Sequence, residues 1–171
     1  MCIRDSPNNS VDVIGDGVEL PFKDNTFDAI LSHAVFEHVR YPFESAKELI
    51  RVLKPQGSLY ISVPFLFHEH GYPNHFYNMT QSGLLNLFGD SILVKEIGVF
   101  NNGYPICFLT AYLDHYVKGL PEKVAKKFKK MKMGDFLTHY VDHLHENYVT
   151  ELDQETNKKL ACVNSLIATK K

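Results

Sequence analysis

The chain has 171 residues, 44% of them hydrophobic, and a formal net charge of −2, which suits one domain with a substantial core and gives no global attraction to nucleic acid. No apolar run approaches the roughly 18 residues of a membrane span, and the opening MCIRDSPNNS lacks the apolar centre of a secretory signal. Cys2, Cys107 and Cys162 are odd in number and far apart, forming neither a disulfide framework nor a zinc-ligand spacing; a soluble, reduced, cytoplasmic chain is expected.

Residues 1–10 are set apart from the fold as a non-native or disordered lead. The hexapeptide Met1–Ser6 has two readings, a translated adapter remnant or a short native terminus. Residues 11–15 (VDVIG) predict a short buried strand ending in the Asp16-Gly17 turn. A polar loop, LPFKDNT, leads to a second strand, FDAILS (27–32). From Pro42 to Leu53 the period changes. Phe43, Ala46, Leu49, Ile50 and Leu53 recur at helical spacing, with Pro42 in the first turn and Lys54-Pro55-Gln56-Gly57 as the stop. SLYISV (58–63) is the next strand. Strand, helix, strand with continuous apolar strands predicts a crossover and a parallel sheet.

Beyond a His- and aromatic-rich loop (64–79), Thr80 to Phe88 reads as a helix with Thr80 as N-cap. SILVKEIGVF (91–100) reads as a strand, 105–148 as mostly helical, and LACVNSLIAT (160–169) as a closing strand. The stretch 120–137 predicts a basic amphipathic helix with a Leu120, Val124, Phe128, Met131 stripe and solvated lysines. His143 and Glu146 read as surface residues.

Across residues 15–65, Asp16, Leu20-Pro21-Phe22, Phe27-Asp28, Glu37-His38 and Arg51-Val52-Leu53-Lys54-Pro55 fall in one order. Each is weak alone. Together they resemble the class I S-adenosylmethionine-dependent methyltransferases of the type 11 family. The resemblance implies an α/β fold: a Rossmann-like sheet, mostly parallel, with an antiparallel closing strand. Residues 11–171 would be a partial domain with a helical insertion at about 101–150. The family's first strand, Asp-x-Gly-x-Gly loop and second strand have no counterpart here. The expectation is therefore an N-terminally truncated fragment, short by about 60–100 residues, with exposed strand edges and inactive alone. Gln56 stands where the family usually has Gly, and a changed turn is expected because Gln resists positive φ.

Methyl transfer from a sulfonium is an in-line displacement, so the protein positions a nucleophile, excludes water and in some cases removes a proton. In open α/β sheets this happens at the carboxyl ends of the strands. The resemblance places adenine against Asp16, Gly17 and Val18, with Ser32 and His33 also facing the cofactor, S-adenosylmethionine. The competing role for Asp16 is a turn residue bonding its own backbone. Asp28 opens a strand and reads as structural. Glu37 and His38 read as a helix-terminal pair with Glu at the positive end.

A related subset, associated with surface-polysaccharide gene neighbourhoods, shares a Pro-Phe…His-x-Tyr-Pro-x-His stretch. That makes His70 and His75, with His33, the residues expected to orient a small-molecule acceptor or take its proton, against a packed aromatic loop as the alternative. His68, His70 and His75 have metal-ligand chemistry, but no carboxylate motif or Cys falls in register, so no metal site is assigned. The expected activity is methyl transfer to a small polar acceptor, a sugar-related hydroxyl or amine. The competing classes are a degenerate, non-catalytic binding or scaffolding module, and a metal-dependent hydrolase or oxygenase.

Overall fold

A computed structural model describes residues 3–4, 12–99, 104–138 and 140–160. It divides into two compact units, residues 1–66 with 70–99, and residues 67–69 with 100–171. Of the lead set apart by sequence, Ile3–Arg4 forms a short strand, β1, and the rest lies outside the described residues.

In the first unit, β1 pairs in parallel with β2 (Val13–Ile14). A second parallel ladder joins β3 (Phe27–His33) to β4 (Leu53–Ser62), with α1 (Pro42–Val52) as the crossover. This is the strand, helix, strand unit expected from the apolar runs, since parallel strands need a long connection. Ala29↔Ser58 to His33↔Ser62 is regular, whereas Phe27 opposes Leu53; the register shift leaves 54–57 as an irregular, bulged stretch.

The expected change of turn at Gln56 is corrected here. Gln56 takes φ 63°, the left-handed conformation a glycine would adopt. The neighbouring ladder holds the turn and the side chain bears the steric cost.

Phe36, Ala46, Leu87 and Phe88 form the core of this unit, with Leu49, Ile50, Leu59, Ile61 and Val63 packed against them. Leu59 and Ile61 share one face of β4, with Val63 just beyond its end, because side chains alternate along a strand. On α1 the buried stripe is shifted from the expected one: Pro42, Ser45, Ala46 and Val52 are buried and Phe43 is exposed. Leu31 on β3 is 74% exposed. Helix α2 (Gln81–Phe88) begins as expected, with Thr80 Oγ1 accepting from the Gly83 amide at 3.0 Å. The expected strand at 91–100 does not form in its described part. Residues 89–91 make a 3-10 turn and 92–99 have no strand partner, and β-propensity without a ladder does not make a strand.

The second unit is helical: α3 (Pro105–Lys118), α4 (Glu122–Phe128), α5 (Met133–Phe136), α6 (Asn147–Thr150) and α7 (Gln154–Leu160). Leu120, Val124 and Tyr148 are its core, with Tyr116, Phe128 and Met131 packed around them. The apolar stripe read from sequence is therefore this unit's core, and Lys123, Lys126, Lys127, Lys129, Lys130 and Lys132 are exposed. The single helix expected over 120–137 is two, interrupted between α4 and α5. His143 is not a plain surface residue: Nδ1 meets the Tyr148 hydroxyl at 2.5 Å and Nε2 the Thr138 hydroxyl at 3.0 Å. Leu160, expected to open a strand, ends α7, and 161–169 lie outside the described residues. Among the described residues no helix is long and apolar enough to cross a membrane.

Candidate functional site

The loop between β2 and β3 is fixed by one side chain. Arg51, near the end of α1, reaches the Leu20 carbonyl at 3.0 Å, the Phe22 carbonyl at 2.7 Å, Asp24 Oδ1 at 2.8 Å, and both oxygens of Glu48 at 2.7 and 2.8 Å. Glu48 Oε2 in turn accepts from the Leu20 amide at 2.8 Å. The hydrogen bonds that Arg51 donates lower the Glu48 pKa, and its bonds to Glu48 and Asp24 raise its own. The planar guanidinium suits this many fixed acceptors. Lys54 bonds Asp28 Oδ1 at 2.8 Å and thereby holds that carboxyl below its usual range. The Leu-Pro-Phe, Phe-Asp and Arg-Val-Leu-Lys motifs are thus tied together around the loop that enters β3.

The carboxyl ends of β2 and β3 carry the residues singled out for cofactor contact. Asp16 follows β2, is exposed, and accepts from the Val18 amide at 3.1 Å through Oδ1. Oδ2 has no partner among the described residues. Gly17 lies against α1, where a Cβ would come 3.2 Å from Ser45 Oγ. That hydroxyl is buried and without a hydrogen-bond partner among the described residues. Ser32 is buried within β3, and His33 is exposed at its end. Ala34, at φ 52°, turns the chain away, its amide donating to the Ser62 carbonyl at 3.0 Å.

The second cluster forms where the turn after β3 meets the loop after β4. The Glu37 carbonyl accepts from the amides of Phe76 at 2.7 Å and Tyr77 at 3.3 Å, the Tyr77 hydroxyl donates to the Arg40 carbonyl at 3.2 Å, and the Arg40 guanidinium lies 5.4 Å from the Phe76 ring. These contacts bring His38, His70 and His75 together, with ring centroids 4.4 to 5.6 Å apart. Gly71 makes the approach possible: it has φ 63°, and a Cβ there would fall 2.9 Å from His38 Cε1. His75 Nδ1 accepts from the His70 amide at 3.1 Å, so its other nitrogen carries the proton of a neutral ring and donates to Asn78 Oδ1 at 3.1 Å. His68 is not in this cluster. It belongs to the helical unit, its ring 3.9 Å from that of His115.

Glu37 and His38 read from sequence as a helix-terminal pair with Glu at the positive end. They occupy a 3-10 turn, Phe36–His38, and Glu37 is 1% exposed. The signal was present in the adjacent Glu-His pair right after a strand. It was passed over because nothing in a linear sequence shows that 70–78 folds back onto it. Ser45 was missed for a related reason, standing as one polar residue within an apolar helical stripe.

Residues 3–61 match the family model described as Methyltransferase domain. Over this segment, about a third of the chain, the sequence is similar to methyltransferase domains. An uncharacterised methyltransferase of Mycobacterium leprae (strain Br4923) is 39% identical over 70 residues, covering 38% of this chain and 26% of the relative. The ubiquinone/menaquinone biosynthesis C-methyltransferase UbiE of Ruegeria sp. (strain TM1040) is 47% identical over 49 residues, 29% of this chain and 20% of that protein. The chain thus spans about a quarter of the length of the curated relatives it matches. Among solved structures, a proposed methyltransferase from Bacillus halodurans C-125 aligns over 49% of this chain and 42% of its own, at 22% identity and a TM-score of 0.39.

Asp16, Ser32, His33, Glu37 and the Arg51 brace lie inside the matched segment. His70 and His75, on the loop after β4, and the whole helical unit lie beyond the matched residues.

Proposed function

We propose that the chain contributes the adenine side of a methyltransferase that moves a methyl group from S-adenosylmethionine to a hydroxyl or amine of a small polar, sugar-related acceptor. The observation that carries this is the coincidence of the matched segment with an exposed carboxylate, Asp16, just after β2. Asp16 Oδ2 is an acceptor on an exposed side chain, which suits the amino group of adenine. The cofactor supplies an electrophilic methyl carbon on a sulfonium. His33, at the end of β3, and His70 are the groups that orient the acceptor and receive its proton as the new bond to carbon forms. His75, with both ring nitrogens engaged, positions the His70 backbone.

No Asp-x-Gly-x-Gly loop occurs in the sequence. Binding of the ribose and methionine ends, and therefore turnover, is proposed to need that loop from a longer whole protein. The test is transfer of labelled methyl from S-adenosylmethionine by the whole protein, with Asp16→Ala beside it. Loss of a charged hydrogen bond is expected to raise the cofactor KM by roughly 10- to 100-fold. An unchanged cofactor KM would remove Asp16 from the site.

A further inference from the structure

The cluster after β3 holds a buried carboxyl, Glu37, that the reading above does not use. His38 Nδ1 lies 2.5 Å from the Asn74 carbonyl oxygen. A carbonyl only accepts, so Nδ1 carries the hydrogen. In the neutral ring Nε2 is then a lone pair, and it faces Glu37 Oε1 at 3.9 Å. The Glu37 carboxyl side chain is 1% exposed, and its second oxygen, Oε2, has no hydrogen-bond partner among the described residues. A buried carboxylate in that position costs several kcal/mol unless something cationic meets it. The third member is His70: one ligand atom from each of Glu37, His38 and His70 lies within 4.8 Å of the others.

We infer that Glu37, His38 and His70 form a binding site for a divalent first-row metal ion of the zinc class. The donor set is two imidazoles and one carboxylate, which favours such an ion over magnesium or calcium. The Nδ1–H to Asn74 carbonyl bond is the outer contact that a metal-bound histidine usually makes, fixing the tautomer and aiming Nε2 inward. Bonds of about 2.0 Å in a tetrahedral set place ligand atoms about 3.3 Å apart, so the three side chains must close by roughly an ångström on binding. Most of that movement falls to His70, which stands on a loop beside Gly71. Three protein ligands leave at least one position open, which an oxygen of a substrate or a water would take.

The site shares His70 with the proposed reaction, but metal binding does not require turnover, so its test needs none. Titration of the 171-residue chain with Co2+, followed by its visible d–d absorption, and competition with Zn2+ are expected to give one saturable site. Glu37→Gln and His70→Gln should each weaken binding by roughly tenfold or more, and His143→Gln, in the helical unit, should leave it unchanged. Circular dichroism checks the fold of each variant; should Glu37→Gln unfold, His70→Gln, at a half-buried loop position, decides. No saturable binding by the folded chain, or binding by His70→Gln equal to that of the parent, would overturn the inference.

Discussion

Gln56→Gly tests the backbone account of the turn into β4 with a change that should stabilise. Gln56 has φ 63°, is exposed, and makes no side-chain hydrogen bond among the described residues. A left-handed conformation costs an L-residue about 1–2 kcal/mol, and glycine adopts it without that steric cost. Glycine also loses more chain entropy on folding, about 0.5–1 kcal/mol. The difference predicts a net gain of about 0.5–1 kcal/mol for the unit that holds β3 and β4. With a urea m-value of about 1–3 kcal/mol/M, the midpoint should rise by a few tenths of a molar. The chain has no tryptophan, so far-UV circular dichroism is the signal. Gln56→Ala separates backbone from side chain: alanine meets the same left-handed penalty and should leave the midpoint nearly unchanged. Equal stabilisation by Ala and Gly, or destabilisation by Gly, would refute the reasoning. Gly57 is the contrasting neighbour. A Cβ there would lie 2.9 Å from the Lys54 carbonyl oxygen and 2.7 Å from Leu53 Cδ1, so Gly57→Ala should destabilise.

Phe36→Ala removes a ring that is 2% exposed and 6.2 Å from that of Phe88, and should cost about 3–5 kcal/mol in urea denaturation. Arg51→Met frees the loop 20–24 from α1, so trypsin should cut after the exposed Lys23 markedly faster than in the parent, a rate read by mass spectrometry. Burial raises the Tyr116 pKa from 10.0 to about 12, and its hydroxyl donates to the Tyr148 carbonyl at 2.6 Å. A raised folded-state value means that this tyrosine's share of stability is whole below pH 10 and is lost as pH climbs through about 12. Tyr116→Phe should delete the latest step in a tyrosinate absorbance titration.

Local signals carried much of the fold. Pro42 and the 3.6-residue period of α1, Thr80 before α2, and the apolar runs of β3 and β4 each act within a few residues of themselves, so they are legible in order along the chain. The strand expected at 91–100 was misread because its apolar run looks the same whether or not a neighbouring strand offers a ladder. Gln56 was misread because residue preference was weighed without the paired strands that override it. At the site, the Arg51 brace explains why motifs 30 residues apart occur together, which order alone could not show. Glu37, His38 and His70 come together through the amides of Phe76 and Tyr77, long-range bonds with no periodic trace.

The central claim is that the ends of β2 and β3 hold the adenine side of the cofactor. The direct test is a 1H–15N titration of this chain with S-adenosylhomocysteine, sensitive to weak binding. The account predicts saturable shifts at the amides of Gly17, Val18, His33 and Ala34, lost in Asp16→Ala. Shifts confined to the helical unit, or shifts that Asp16→Ala leaves in place, would contradict it.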